Sequence, residues 1–336
     1  VDPLDAQIWF RTDWWGVWRS DDGGVNWVEK VKSAPNTVTS DIQLSPNSDL
    51  YVATMDNGLL KSSDGGQSYE AVFPKKGDRD DMNGHVWRVA VLAEDKVLAT
   101  SSPWNTDWNQ VAVIHLPDYG FNLYKEGLPA KRPRKGTVWN FGYPKALAVN
   151  PANKDEIYLV IDGEDAGLYL SKDGGKSWKR SSGQPDSLKI YNALVLDPAN
   201  SKRIFIGAVD PNVGIYLSED DGASWKLACK DLNKVFDMAF GKDGRIYAAG
   251  DNKDTAVSVW SQDGGKSWSK WFEEKDAGTA EALCVLPDGR VGFSTQRWGG
   301  YSGGQIYLAS PDGKKVQNIT GNLPNGEGAS SMVYDA

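Results

Sequence analysis

Aspartates and tryptophans occur together in several short polar segments of this sequence, a combination suited to defined chemistry. Glycoside hydrolysis needs two carboxyl groups beside the scissile bond, about 5–5.5 Å apart for retention and about 6.5–9.5 Å for inversion. Aromatic faces pack against sugar rings, while nearby polar groups fix the ligand's orientation. We select Asp13, Asp107 and Asp162 as candidate catalytic carboxyls. The candidate ligand-binding residues are Trp14, Trp15, Trp104, Trp108, Asp165, Asp210, Asp251, Arg297, Trp298 and Tyr301.

The tryptophan content supports a binding role for these segments. Asp, Asn and Gly are common in loops because they tolerate turn conformations, so the aspartates alone are also explained as loop residues. The chain has 15 Trp in 336 residues. Tryptophans in polar loops would expose their apolar rings, and a large exposed apolar patch usually marks an interaction site. The sequence therefore predicts a ligand-binding face.

Composition excludes several classes of function. The chain has 37 Lys and Arg against 45 Asp and Glu, a formal charge of −8, which disfavours nucleic acid and anionic membranes as partners. No apolar run approaches the about 18 residues of a membrane span. Two His and two Cys exclude Cys/His zinc sites and a disulfide scaffold. We predict that Cys229 and Cys284 are small buried hydrophobic residues.

A repeated phrase, Ser-x-Asp-x-Gly-x-x-Trp, organises the sequence. Two weaker copies centre on Asp118 and Asp312. With them, the repeat has a mean spacing of about 48 residues and seven units fill the chain. The clear copies start at Ser20, Ser62 (with Tyr69 in the aromatic place), Ser171, Ser218 and Ser261.

Each unit has the pattern of four short strands, with the phrase forming the turn between the third and the fourth. Such units, repeated seven times with no helical periodicity, predict an all-β, single seven-bladed β-propeller of four-stranded blades over residues 1–336. The segment Ser330–Asp335 resembles the first strand of a unit. We therefore expect the C-terminal strand to complete the first blade, which protects the edges of that sheet.

This topology predicts where the aspartates and tryptophans lie. If the repeated turn joins the third and fourth strands, the loops joining the second and third strands lie at the opposite end of each blade. The candidate residues named above all fall in those second-to-third loops or beside them. The Ser, Asp and Gly of the repeated turn are excluded from the candidate site, because they satisfy the turn's own backbone.

The phrase resembles that of the Asp-box (BNR) repeat proteins, over the whole chain. These include sialidases, xyloglucanase-type glycoside hydrolases, sortilin-type receptors and the photosystem II assembly factor. The resemblance implies a propeller with Asp-box turns, and it leaves the function to be argued from the site.

The segment Phe10–Arg19 resembles the first-blade phrase of the xyloglucanases, in which Arg-Thr-Asp precedes a Gly and an aromatic residue. The resemblance implies that Asp13 is a catalytic carboxyl. Those enzymes take their second acid from another propeller, whereas this sequence holds one. The second acid would come from Asp107, Asp162, Asp165 or another domain of a longer chain.

We expect a carbohydrate-active propeller that binds, and as a glycoside hydrolase would cleave, a polysaccharide or oligosaccharide. A non-catalytic scaffold for a protein or peptide partner, similar to sortilin or the assembly factor, is the alternative. A sialidase-type exo-glycosidase is the third reading. We expect a secreted or cell-surface monomer without a cofactor or catalytic metal, and acidic clusters at Asp78–Asp81 and Asp162–Asp165 leave a structural calcium ion open.

Overall fold

The computed structural model describes residues 7–12, 17–30, 39–55, 57–74, 85–101, 109–130, 144–163, 165–186, 188–209, 212–253, 255–296, 304–323, 329 and 331–333. Regular secondary structure in these ranges consists of strands, which form seven four-stranded antiparallel sheets. The sheets follow one another along the chain, numbered here from first to seventh. Within each sheet the strands lie side by side in chain order, except that the last strand of the chain joins the first sheet.

Strands β1–β15 belong to the first four sheets. The first sheet contains β1 (Trp9–Thr12), β2 (Val17–Ser20) and β3 (Val28–Glu29). The second contains β4 (Thr39–Leu44), β5 (Leu50–Thr54), β6 (Gly58–Ser62) and β7 (Glu70–Phe73). The third contains β8 (Val86–Ala93), β9 (Lys96–Ser101), β10 (Gln110–His115) and β11 (Gly120–Tyr124). The fourth contains β12 (Pro144–Val149), β13 (Ile157–Ile161), β14 (Gly167–Ser171) and β15 (Lys179–Arg180).

Strands β16–β28 complete the set. The fifth sheet contains β16 (Lys189–Asp197), β17 (Asn200–Val209), β18 (Gly214–Ser218) and β19 (Lys226–Cys229). The sixth contains β20 (Lys234–Phe240), β21 (Ile246–Asn252), β22 (Thr255–Ser261) and β23 (Ser269–Lys275). The seventh contains β24 (Thr279–Val285), β25 (Val291–Gln296), β26 (Gln305–Ala309) and β27 (Val316–Asn318). The remaining strand is β28 (Ser331–Val333), which pairs antiparallel with β1.

Residue type explains the position of each strand in its sheet. Second strands such as Ile157–Ile161 are buried at every position, and runs of β-branched residues suit a strand covered on both faces. Fourth strands such as Lys179–Arg180 and Val316–Asn318 are exposed throughout. Polar side chains and a short length protect such an edge from pairing with another chain.

The chain packs as two compact units. One holds the second, third and fourth sheets, and the other holds the first, fifth, sixth and seventh. In both units the core lies between neighbouring sheets. Ala53, Leu59, Val97 and Ala112 pack between the second and third sheets. In the other unit, one cluster of buried residues joins the fifth and sixth sheets, and another joins the seventh sheet to the first.

The repeated phrase forms the turn between the third and fourth strands, as predicted. In the copy after β14, the Ser171 hydroxyl donates to Asp173 at 2.8 Å and accepts the Gly175 amide at 2.8 Å. Asp173 also accepts the backbone amide of Ser177 at 2.9 Å. The Trp178 indole donates to the Gly175 carbonyl at 3.0 Å, and its ring is buried between the third and fourth sheets. These residues stabilise the turn, in agreement with their exclusion from the candidate site.

The predicted fold class is confirmed. Seven four-stranded antiparallel sheets are the blades of a seven-bladed β-propeller, and β28 completes the first blade as expected. Cys229 and Cys284 are buried free thiols, and burial raises the pKa of Cys284 to about 12. The single domain over residues 1–336 remains a prediction.

Candidate functional site

The described residues include three of the predicted site positions. Asp162 directly follows β13, Asp165 precedes β14, and Asp251 lies near the end of β21. All three therefore lie where the second strand connects to the third, as the topology argument predicts. The other predicted site residues lie outside the described residues: Asp13, Trp14, Trp15, Trp104, Asp107, Trp108, Asp210, Arg297, Trp298 and Tyr301.

The first strands of six sheets share a feature that the sequence analysis did not find. Each of these strands pairs with its second strand through a register shift, close to the end that carries the second-to-third connection. Such β-bulges are common beside binding and active sites, because they redirect a side chain. We call the first residue of each irregularity a bulge residue. They are Ser40, Trp87, Lys145, Tyr191, Phe236 and Glu281.

In the unit of the second to fourth sheets, the bulge residues bring a cation, an aromatic ring and a predicted aspartate together. The Lys145 ammonium lies 4.4 Å from the ring centroid of Trp87, a cation–π contact. The same ammonium lies 3.6 Å from the Asp162 carboxylate. Burial lowers the pKa of Lys145, and the charge of Asp162 opposes that shift. Asp162 is thus engaged in an ion pair.

Arg88 holds the backbone around this group. Its Nε donates to the Lys145 carbonyl at 2.5 Å, and its Nη1 donates to the Ser40 carbonyl at 2.6 Å. The guanidinium therefore links the first strands of the second and fourth sheets. Asp41 accepts the Val89 amide at 3.0 Å; burial raises the pKa of Asp41, while the charge of Arg88 opposes the rise. These bonds fix the strands that present Trp87 and Lys145.

In the other unit, the bulge residues of the fifth and sixth sheets form an aromatic pair. The rings of Tyr191 and Phe236 are stacked with centroids 5.0 Å apart and an interplanar angle of 16°. Phe236 is 6% exposed, whereas Tyr191 is half-buried. Stacking of this kind stabilises the pair and holds the tyrosine ring in one orientation.

Glu281 is the bulge residue of the seventh sheet. Its side chain is half-buried, and the Thr279 hydroxyl donates to Oε1 at 3.0 Å. Burial raises the pKa of Glu281 to about 7, against the opposing effect of the Thr279 bond. A carboxyl whose pKa lies near neutrality is suited to proton transfer at physiological pH.

Asp251 and Asp165 are constrained by neighbouring groups. Asp251 is 2% exposed, and its carboxylate lies 3.5 Å from the Lys234 ammonium on the adjacent strand. The backbone carbonyl of Asp165 accepts the Tyr169 hydroxyl at 2.9 Å. Burial and the Lys234 contact hold the Asp251 side chain in place, and its role in ligand binding stays a prediction.

A cavity of about 370 Å³ lies at the opposite end of the first strands of the second to fourth sheets. Leu44, Val91, Leu147 and Val149 contribute its apolar wall. It contains none of the predicted site residues, so we do not assign it to the candidate site.

No cluster of three or more His, Cys, Asp or Glu able to hold a metal ion occurs within the part of the chain that the structure describes. The same residues include no helix long and apolar enough to span a membrane.

The bulge residues could be located only partly from sequence. Tyr191, Phe236 and Glu281 are separated by 45 residues each, so they occupy equivalent positions in successive repeats. This equal spacing in the sequence indicates that the three residues are equivalent. The register shift that singles them out depends on pairing with the second strand, which the sequence does not show.

Comparisons with known proteins agree with the fold. No protein-family model matches the chain. A probable oligoxyloglucan-reducing end-specific xyloglucanase of Neosartorya fischeri is 31% identical over 212 residues, which is 53% of this chain and 26% of the relative. The aligned region thus spans about a quarter of the length of that relative.

Among solved structures, an ancestral GH74 enzyme superposes with a TM-score of 0.66 at 16% identity, over 96% of this chain and 52% of the other. YCF48 bound to D1 peptide gives a TM-score of 0.62 at 15% identity, over 90% and 88%. A putative 6-phosphogluconolactonase from Bacteroides fragilis gives 0.64 at 9% identity, over 99% of each chain. At these identities the three structures show a shared propeller fold.

Proposed function

We propose that this chain is a carbohydrate-active propeller that binds, and hydrolyses, a polysaccharide or oligosaccharide related to xyloglucan. The observation that carries the proposal is the 31% identity over 212 residues to a probable xyloglucanase. YCF48 and the putative 6-phosphogluconolactonase share the fold at 15% and 9% identity. The 31% identity applies to 53% of this chain, whereas these structures align over 90% and 99% of it.

The chemistry of the candidate site supports the same proposal. The second-to-third connections carry the predicted aspartates and tryptophans. At that end of the blades, the unit of the second to fourth sheets contributes Trp87. The other unit contributes the Tyr191–Phe236 pair and Glu281. Flat apolar rings beside carboxyl groups suit a ligand with apolar ring faces and many hydroxyls. A polysaccharide ligand would place the protein outside the cell or at its surface.

In the proposed reaction, Asp13 supplies one of the two carboxyl groups. Its place in the Arg11-Thr12-Asp13 phrase is the reason for that assignment. Arg11, two residues earlier on β1, is fully buried, with its guanidinium 5.1 Å from the Trp18 ring. A cation–π contact thus joins β1, which precedes Asp13 in the chain, to the partly buried Trp18 on β2.

Titration of intrinsic tryptophan fluorescence with sugars tests the proposal. Xyloglucan oligosaccharides should change the emission in a saturable way. Cello-oligosaccharides measure how much the main chain of the polysaccharide contributes to binding. Trp14→Ala should weaken binding, whereas Asp13→Asn should keep binding and lose product release. Asp95→Asn, an exposed turn residue, is the matched control for loss of a carboxylate.

The two remaining readings are outcomes of the same experiment. A response to sialyllactose alone would favour a sialidase-type enzyme. No response to any glycan would reject the carbohydrate proposal and favour the scaffold for a protein or peptide partner.

A further inference from the structure

The cavity of about 370 Å³ at the end of the blades opposite the candidate site has no role in the proposed function. Its walls come mainly from the first strands of the second, third and fourth sheets, which belong to one compact unit. Ligand sites in proteins are usually clefts of about 300–1,000 Å³. The volume of this cavity therefore suits a small molecule.

Three equivalent side chains contribute to the apolar wall of the cavity. Leu44, Val91 and Val149 occupy the same register position, each opposite the first or second residue of the second strand of its sheet. All three are half-buried, so part of each side chain faces the cavity rather than the core. Covering apolar surface with an apolar group is favourable, because it removes that surface from water. The wall therefore favours a ligand with an apolar body.

The charged residue among the described residues of the lining is Lys154. It lies exposed in the connection between β12 and β13. Lys61 and Lys145 of the same unit each pair with an aspartate, whereas Lys154 forms no ion pair with an acidic residue in the described ranges. An ammonium on a flexible four-carbon stem can reach an anionic group at the mouth of the cavity. The charge of the lining thus favours an anionic ligand.

The other polar groups near the cavity leave this charge complementarity intact. Gln43, also in the lining, hydrogen-bonds the Asp41 carboxylate with its side chain. Glu94, Asp95 and Asp155 of the adjoining connections are exposed and lie outside the lining. Solvent therefore weakens their repulsion of a bound anion, whereas Lys154 is placed to contact it.

We propose that this cavity binds a small amphipathic anion, whose apolar body lies against Leu44, Val91 and Val149 and whose carboxylate pairs with Lys154. A medium-chain fatty carboxylate has this chemistry. The ligand binds without a covalent step, and its apolar chain replaces the water that faces the wall. The binding does not depend on the proposed function, because the cavity contains none of the predicted site residues.

Displacement of a fluorescent probe tests the proposal on the wild type. The probe is anilinonaphthalene sulfonate, an apolar ring system with one negative charge that binds exposed apolar surface. Its emission should rise in a saturable way, with one site per chain. Octanoate and octanamide share their chain, and octanoate alone carries a charge. Octanoate should therefore displace the probe at a concentration about two- to five-fold lower than octanamide, the usual effect of an exposed ion pair.

Two substitutions with matched controls locate the site. Ala93→Trp adds a ring at an exposed position of the lining and should prevent saturable binding of the probe. Ala199→Trp makes the same change at an exposed position between β16 and β17 in the other unit and should bind the probe as the wild type does. Lys154→Gln should remove the advantage of octanoate over octanamide. Lys202→Gln, at an exposed position near the start of β17, should keep it.

The outcomes separate this proposal from the proposed function. Ala93→Trp that binds the probe with wild-type affinity would show that the probe binds elsewhere, and would overturn the proposal. Equal displacement of the probe from the wild type by octanoate and octanamide would overturn it without any variant. A wild type that binds no glycan but gives the expected displacement would reject the proposed function and support this site.

Discussion

The Asp237 carboxylate on the first strand of the sixth sheet accepts the Leu283 amide on the first strand of the seventh, at 2.8 Å. Its other oxygen accepts the Met238 amide, also at 2.8 Å. Asp41 makes the same arrangement in the other unit, where it accepts the amides of Ile42 and Val89. Each of these aspartates follows a bulge residue and bonds a neighbouring sheet, so it fixes the backbone that presents the candidate site.

The first prediction concerns Asp237. Asp237→Ala removes both acceptors and leaves two buried amides without them, at a cost of about 2–4 kcal/mol in the free energy of unfolding. Chemical denaturation measures this loss. Glu94→Ala, at an exposed turn position, should change the free energy of unfolding by less than about 0.5 kcal/mol. Equal, small effects of the two substitutions would show that the inter-sheet bond contributes little.

The local parts of this fold could be predicted from sequence, because their signals are local. Adjacent residues determine the turn around Asp173, and the buried strand Ile157–Ile161 appears as an apolar run. The topology argument predicted that Asp162, Asp165 and Asp251 lie at the second-to-third connections, and their role in a site stays a prediction. The sequence did not single out Glu281, because apolar and polar residues alternate in the segment Thr279–Ala282 as in any half-buried strand. Its desolvation arises from strands that are distant in sequence, and its bulge arises from pairing with β25.

A second prediction compares two glycines with similar backbone angles. Gly58 has φ +81° at the start of β6, and a Cβ there would lie 1.9 Å from the Phe73 carbonyl oxygen. Gly244 has φ +79° in an open turn, with no atom within 4 Å of the Cβ position. Gly244→Ala should cost about 1 kcal/mol, the strain of a left-handed alanine. Gly58→Ala should cost more than about 3 kcal/mol, because the strand must also move. Similar melting temperatures for the two variants would contradict this account.

The third prediction concerns acid stability. Hydrogen bonds from the hydroxyl and amide of Ser68 lower the pKa of Asp64 well below its ordinary value. A carboxyl with a lowered folded-state pKa stabilises the protein above its unfolded pKa of about 3.9, and this contribution is lost as the pH falls further. The decrease in melting temperature between pH 5 and pH 2.5 should therefore be smaller in Asp64→Asn. Asp95→Asn should keep the wild-type decrease, and an unchanged decrease in Asp64→Asn would reject the linkage.

The last prediction concerns alkaline conditions and Lys145. Burial lowers the pKa of this ammonium in the folded protein, so between that pKa and about 10.4 the unfolded chain binds the additional proton. Stability rises with pH wherever the unfolded state binds more protons, so Lys145 should make the protein more stable as the pH rises towards 10. Lys145→Met should lose this increase, measured as the free energy of unfolding at pH 7 and pH 9. Lys61→Met is the matched control, because Lys61 also pairs with an aspartate, Asp49 at 2.9 Å, and has similar side-chain exposure, 14% against 15%. If the increase persists in Lys145→Met, the ammonium is solvated in the folded state, and its position over Trp87 is not a desolvated part of the site.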